Sequence, residues 1–198
     1  LDRSSAASDV YKRQVQARQL DAALDKLENA ITTYLATLDQ ENMTRDDLQR
    51  MDDILAFTSN IGHAGDIAHH GLLSHIAKLR KQGWTFSPEQ RASLDDTLGE
   101  LIANQRQAAA LFVNDDLRQA RALAGEKARF RTIETQAADT HLQKIKAGQV
   151  DAAEVGALYL DILRDMKGIN SHLVGAAAYP LLARHGELLP SRLREAGN

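Results

Sequence analysis

Apolar residues recur along this chain at spacings of three and four, over stretches far longer than a strand, which is the pattern of helices with one buried face. A first helix is predicted from Val15 to Leu38, with Leu20, Leu24, Leu27, Ile31, Tyr34 and Leu38 inward. Thr44-Arg45-Asp46-Asp47 has the chemistry of a helix start. The second helix then carries Leu48, Met51, Leu55, Thr58, Ile61, Gly65, Ala68, Leu72, Ile76 and Leu79 on one face and ends near Gly83. Ser87-Pro88-Glu89-Gln90 is the sharpest boundary: Ser as N-cap, Pro at the first helical position, Gln placed to complete a capping box. The third helix is predicted to bury Leu94, Leu98, Leu101, Ala108 and Phe112. Asn114 is expected to cap a fourth, which carries Leu117, Leu123, Phe130, Ile133, Ala137 and Ile145 and closes at Gly148. Asp151-Ala152-Ala153-Glu154 starts a fifth, with Val155, Leu158, Ile162, Ile169 and Leu173 inside. Pro180 should kink or end it, and the tail from Gly186 is expected to be loosely held.

Long helices joined by short links predict an all-α chain of antiparallel helix bundles. A faint repeat supports two of them. Leu27-Glu28 and Ile133-Glu134 lie 106 positions apart, and Asp-Ile-Leu occurs at 53–55 and again at 161–163. Five helices are an odd count for such a repeat, so the first bundle is expected to lack one, upstream. Asp9-Val10-Tyr11-Lys12-Arg13-Gln14 is the translation of GAT GTG TAT AAG AGA CAG, a string that resembles a transposase mosaic-end sequencing adapter. Residues 1–14 are therefore expected to be an artefact. The helical domain is expected over 15–190, with a first bundle at 15–112 and a second at 114–185, and a tail at 191–198.

Composition narrows the function. With 43% hydrophobic and 26% charged residues the chain should fold, and 5% aromatics with three prolines favour helix over strand. A net charge of −3 argues against nucleic acid as a partner. The absence of cysteine excludes disulfides and thiolate chemistry. No run of about 18 apolar residues occurs, so this stretch does not itself span a membrane. No catalytic constellation and no cofactor motif are recognisable, and no enzyme activity is expected.

Three further segments carry a resemblance. Asn60-Ile61-Gly62-His63-Ala64-Gly65-Asp66, Gly125-Glu126-Lys127-Ala128-Arg129-Phe130-Arg131, and the stretch from Asp161-Ile162-Leu163-Arg164-Asp165 through Ile169-Asn170-Ser171-His172 to Ala178-Tyr179-Pro180 together resemble the PhoU-like domain at the C-terminus of bacterial sodium/phosphate cotransporters. The resemblance covers roughly Val15 to Pro190. It implies a fold of two three-helix bundles, of which this fragment would hold the second to sixth helices. It also implies a transmembrane sodium/phosphate (Na/Pi) cotransport domain on the same polypeptide as partner, and a place on the cytoplasmic face of the bacterial inner membrane. Self-association into a homo-oligomer is a further expectation.

PhoU domains can hold metal ions between acidic-x-x-x-acidic pairs on adjacent helices, since carboxylates four apart share a helix face. Asp21 and Asp25 match one pair and Asp66 half of the other, while Gly62 stands where the family usually has Glu. Metal at Asp21, Asp25 and Asp66 is accordingly expected to be weak. The matching second-bundle positions are Lys127, Arg131, Lys167 and Ser171, which cannot hold a cation cluster, although Lys127, Arg131 and Lys167 could form an anion-binding patch. His63, His69, His70 and His75 should point in several directions on a helix, as ordinary surface or boundary residues. Gly62, Gly65 and Ala68, with Ala64 and Gly71, make a small-residue seam, for which close approach of another helix and docking of a partner are both open.

The leading reading is a regulatory or docking domain of a sodium-dependent phosphate cotransporter. Its rivals are a free-standing PhoU-type adaptor in phosphate signalling and a metal-dependent enzyme on a helical bundle. Transmembrane helices encoded upstream would separate the first two, and metal analysis tests the third.

Overall fold

The computed structural model describes residues 3–149 and 153–187, with side chains from residue 15 onward. All regular structure among the described residues is helical. The elements are α1 (Arg3–Ala36), α2 (Arg45–Asp66), α3 (Leu73–Lys81), α4 (Pro88–Val113), α5 (Leu117–Lys146), α6 (Ala153–Leu173) and α7 (Tyr179–Arg184), with a 3₁₀ turn at Gln40–Asn42. Two π-helical segments, Ile67–Leu72 and Val174–Ala178, join α2 to α3 and α6 to α7 without a loop, so the chain runs as five long helices.

Local chemistry sets most of the ends. Thr44 and Ser87 each accept the backbone N–H of the residue three ahead, whose side chain accepts the N–H of the cap in return. Each such box satisfies two of the donors a helix N-terminus leaves open. The fourth predicted start is corrected: Asp116, not Asn114, caps α5, because its carboxylate reaches the N–H groups of Arg118 and Gln119. Asn114 is instead the C-cap of α4. Gly83 and Gly148 take φ of +67° and +78°. This left-handed geometry lets the Trp84 and Gln149 N–H groups bond back to Leu79 and Lys144 and close their helices. Residues 1–2, the fifth predicted start at 151–152 and the tail from residue 188 lie outside the described residues, although α1 is helical from Arg3 rather than from Val15.

The π-helical segments were not legible from a 3.6-residue period. In each, an N–H bonds five residues back, Leu73 to Ala68 and Tyr179 to Val174. The second precedes Pro180, whose ring would collide with the carbonyl four residues earlier in a regular helix; the wider turn relieves that collision and the chain stays helical to Arg184. The first has no proline. There the carboxylate of Asp165 fills the space that a side chain at Gly71 would need. Beyond it the predicted face is rotated, and Ile76 is exposed.

The helix α6 lies at the centre of the molecule, packed against α2, α4 and α5, while α1 lies outermost on α2 and the first π-helical segment. Phe130, Leu123, Leu158, Leu163 and Leu173 are fully buried around α6. A polar pair shares this core: Asn104 donates from Nδ2 to Oδ1 of Asn170 at 2.9 Å, and the Nδ2 of Asn170 has no partner. Asn104→Ala should therefore cost about 1–3 kcal/mol by orphaning a buried acceptor, whereas replacing both residues by Leu should be close to neutral. Urea denaturation of the two variants checks the difference; equal losses in both would contradict it.

Packing of α1 departs from expectation. Leu24, Glu28, Ile31, Leu35 and Leu38 turn inward, and Leu35 is buried. Leu20, Leu27 and Tyr34, all expected inside, are 65%, 60% and 65% exposed. They sit seven residues apart and form one apolar stripe along the outer face of α1.

Candidate functional site

The first π-helical segment carries Ile67-Ala68-His69-His70-Gly71-Leu72 against α1 and α6. Here the rings of His69 and His70 stand with centroids 4.5 Å apart, tilted by 38°. Asp21 projects from α1 toward them, and its Oδ2 lies 2.7 Å from Nδ1 of His69. One ligand atom from each of Asp21, His69 and His70 falls within a sphere of donors no more than 4.8 Å apart. Asp21 and His69 are half-buried and His70 is exposed.

Of the acidic residues singled out in the sequence, only Asp21 belongs to this cluster. Asp25 and Asp66 are exposed and are not part of it. Gly62 is buried beneath α1: the carboxylate of Glu28 occupies the space a side chain at 62 would need, and Leu24 does the same above Gly65. The helix that approaches closely over Gly62 and Gly65 is therefore α1, and a Glu introduced at Gly62 would meet Glu28. Ala68 lies just beyond, half-buried against the core.

The other histidines of the region are held separately. His75 Nε2 lies 3.2 Å from Asp165 Oδ2, off the line of a good hydrogen bond. Burial raises the Asp165 pKa above the ordinary carboxylate value, an effect the neighbouring His75 opposes. His172 contacts the Asn60 Oδ1 through Nδ1 at 3.0 Å, and its ring stands 5.3 Å from that of His63. Burial, then His63 and Lys127, lowers its pKa. On the second-bundle face, Lys167 pairs with Glu134, which Arg164 also approaches at 3.6 Å. Lys127 lies 5.4 Å over the ring of Tyr179. Both lysines thus have partners of their own.

A second feature lies beside the cluster. Leu20, Leu24, Gly65, Leu72, Ile76 and Leu98 line an apolar cleft of about 530 Å³ between α1 and α4, with Asp21 and His69 also at its wall. The cleft adjoins the outward stripe of α1, so apolar surface is continuous from one to the other. No described helix is long and apolar enough to cross a membrane.

Comparison with known proteins places the chain beside a phosphate-related group. Over 177 residues, 89% of its length, it is 28% identical to the protein named "Putative inorganic phosphate export protein YjbB" of Escherichia coli K12 and of Escherichia coli O157:H7. Over 166 residues, 83% of its length, it is 30% identical to the protein of the same name from Salmonella typhimurium LT2. No family model matches, and no solved structure matches significantly. The matched region makes up 32% and 30% of these proteins, so the chain spans about a third of the length of the curated relatives it matches. It is an all-helical region homologous to part of the YjbB proteins.

Proposed function

We propose that this chain is a regulatory or docking domain of a phosphate-transporting polypeptide, lying on the cytoplasmic face and controlling a sodium-coupled membrane domain. The observation that carries the reading is the match of nearly the whole chain to one part of a relative named for inorganic phosphate export. The PhoU-like sequence features point the same way, toward sodium-dependent phosphate movement. The relatives' name specifies export where the resemblance implies cotransport, so the direction of flux is itself something to measure. The apolar stripe and cleft give the domain a surface on which to act: contiguous exposed apolar patches mark sites of association.

A domain of this kind needs no catalytic groups. It shifts the conformational equilibrium of its partner by binding one state better than another. Leu27→Glu places a charge in the centre of the stripe at a site already exposed to water, so the fold should tolerate it. The isolated chain is expected to associate as its concentration rises, and Leu27→Glu to keep it monomeric, as read by sedimentation equilibrium. In the full-length transporter the same change should alter phosphate flux at matched membrane insertion. Unchanged association and unchanged flux together would remove the stripe from the account.

A further inference from the structure

We infer that Asp21, His69 and His70 form a binding site for one zinc-class divalent cation, held by two imidazole nitrogens and one carboxylate oxygen. The donors come from two elements that meet only through tertiary packing, α1 and the π-helical turn Ile67–Leu72. His69 and His70 both lie in the π-helical turn with their rings 4.5 Å apart, and such turns are concentrated at functional sites. In a tetrahedral zinc centre with bonds of about 2.0–2.1 Å, adjacent ligand atoms stand about 3.3 Å apart. Here one donor atom from each residue lies within 4.8 Å of the others, and Asp21 Oδ2 stands 2.7 Å from Nδ1 of His69. Small rotations of three side chains close that difference, and the ring of His70 is exposed and free to make the largest.

The chemistry of the donor set selects the ion. Asp21 Oδ2 and His69 Nδ1 already stand at hydrogen-bonding distance, 2.7 Å, and a cation would replace that contact while also recruiting His70. Two neutral imidazoles and one carboxylate suit zinc and the late first-row metals, whereas magnesium and calcium require mostly oxygen. The hard-oxygen set of Asp21, Asp25 and Asp66 is not assembled, because the last two are exposed and stand outside the cluster. Three protein ligands leave a coordination position for solvent, as in zinc sites that keep an open position.

The test is calorimetric titration of zinc chloride into tag-free full-length chain, with the visible spectrum of the cobalt-substituted protein as a coordination readout. One zinc per chain is expected at an affinity tighter than about 100 μM, with a cobalt d–d band of low-symmetry coordination and no competition from millimolar magnesium. His70→Ala, His70→Gln and Asp21→Asn should each weaken zinc at least about tenfold, while Asp25→Asn leaves it within about twofold. Far-UV circular dichroism checks that the helices persist in each variant. Zinc that fails to saturate at one per chain, that magnesium displaces, or that binds equally to folded His70→Gln and Asp21→Asn proteins would overturn the assignment.

Discussion

Arg184→Ala should lower the unfolding free energy by about 3 kcal/mol, at the lower end of the range for breaking a buried ion pair by removing one partner. Arg184 is the last residue of α7. Its guanidinium donates to Oδ2 of Asp53 at 2.7 Å and to Oδ1 of Asp115 at 2.8 Å, tying the end of the chain's last described helix to α2 and to the α4–α5 link. The Asp53 side chain is only 8% exposed, while that of Asp115 is 69% exposed. The energy therefore sits in the Asp53 contact, because a surface pair is worth about 0–1 kcal/mol. Without Arg184 the buried carboxylate keeps only Gln49 Nε2, at 3.2 Å. In an Asp53→Asn background the charge is gone, and Arg184→Ala should cost less than about 1 kcal/mol. A cycle of urea unfolding measurements reads the coupling; an Arg184→Ala cost that is the same in both backgrounds would contradict the role given to Asp53.

How much of this was written legibly in the sequence depends on how local each feature is. The boxes at Thr44–Asp47 and Ser87–Gln90 need only four consecutive residues and were read correctly. The apolar face of α6 was equally clear, because Leu158, Ile162, Ile169 and Leu173 are buried from several sides and the pattern is strong. On α1 the apolar positions cover two faces, and the sequence could not say which would meet α2. The face with Leu35 turned inward and the face with Leu27 turned out. The candidate site was half legible. Asp21 was singled out for carboxylate chemistry, but joining it to His69 and His70 requires both the register of α1 on α2 and the π-helical turn, and a helical wheel contains neither. The adjacent histidines were the only available signal, and nothing in their spacing names Asp21 as their neighbour. Asn104 with Asn170, and Asp53 with Arg184, escaped for the same reason: each pair joins residues far apart in the chain.

Removal of the whole domain is expected to have the largest functional effect. If the domain biases the partner between transport states, it can change their populations only by its differential affinity for them. Couplings of about 1–3 kcal/mol correspond to roughly 5- to 150-fold changes. The membrane partner retains its own translocation path in this account, so transport should persist when the domain is gone, with altered regulation. The direct measurement is sodium-dependent phosphate flux, in both directions, in vesicles carrying full-length protein or protein lacking residues 15–190, at matched and verified membrane insertion. The account predicts measurable flux in both, with a rate or a response to phosphate concentration that differs at least about fivefold. Identical flux at every phosphate concentration, or complete loss of flux from properly inserted truncated protein, would contradict a regulatory domain.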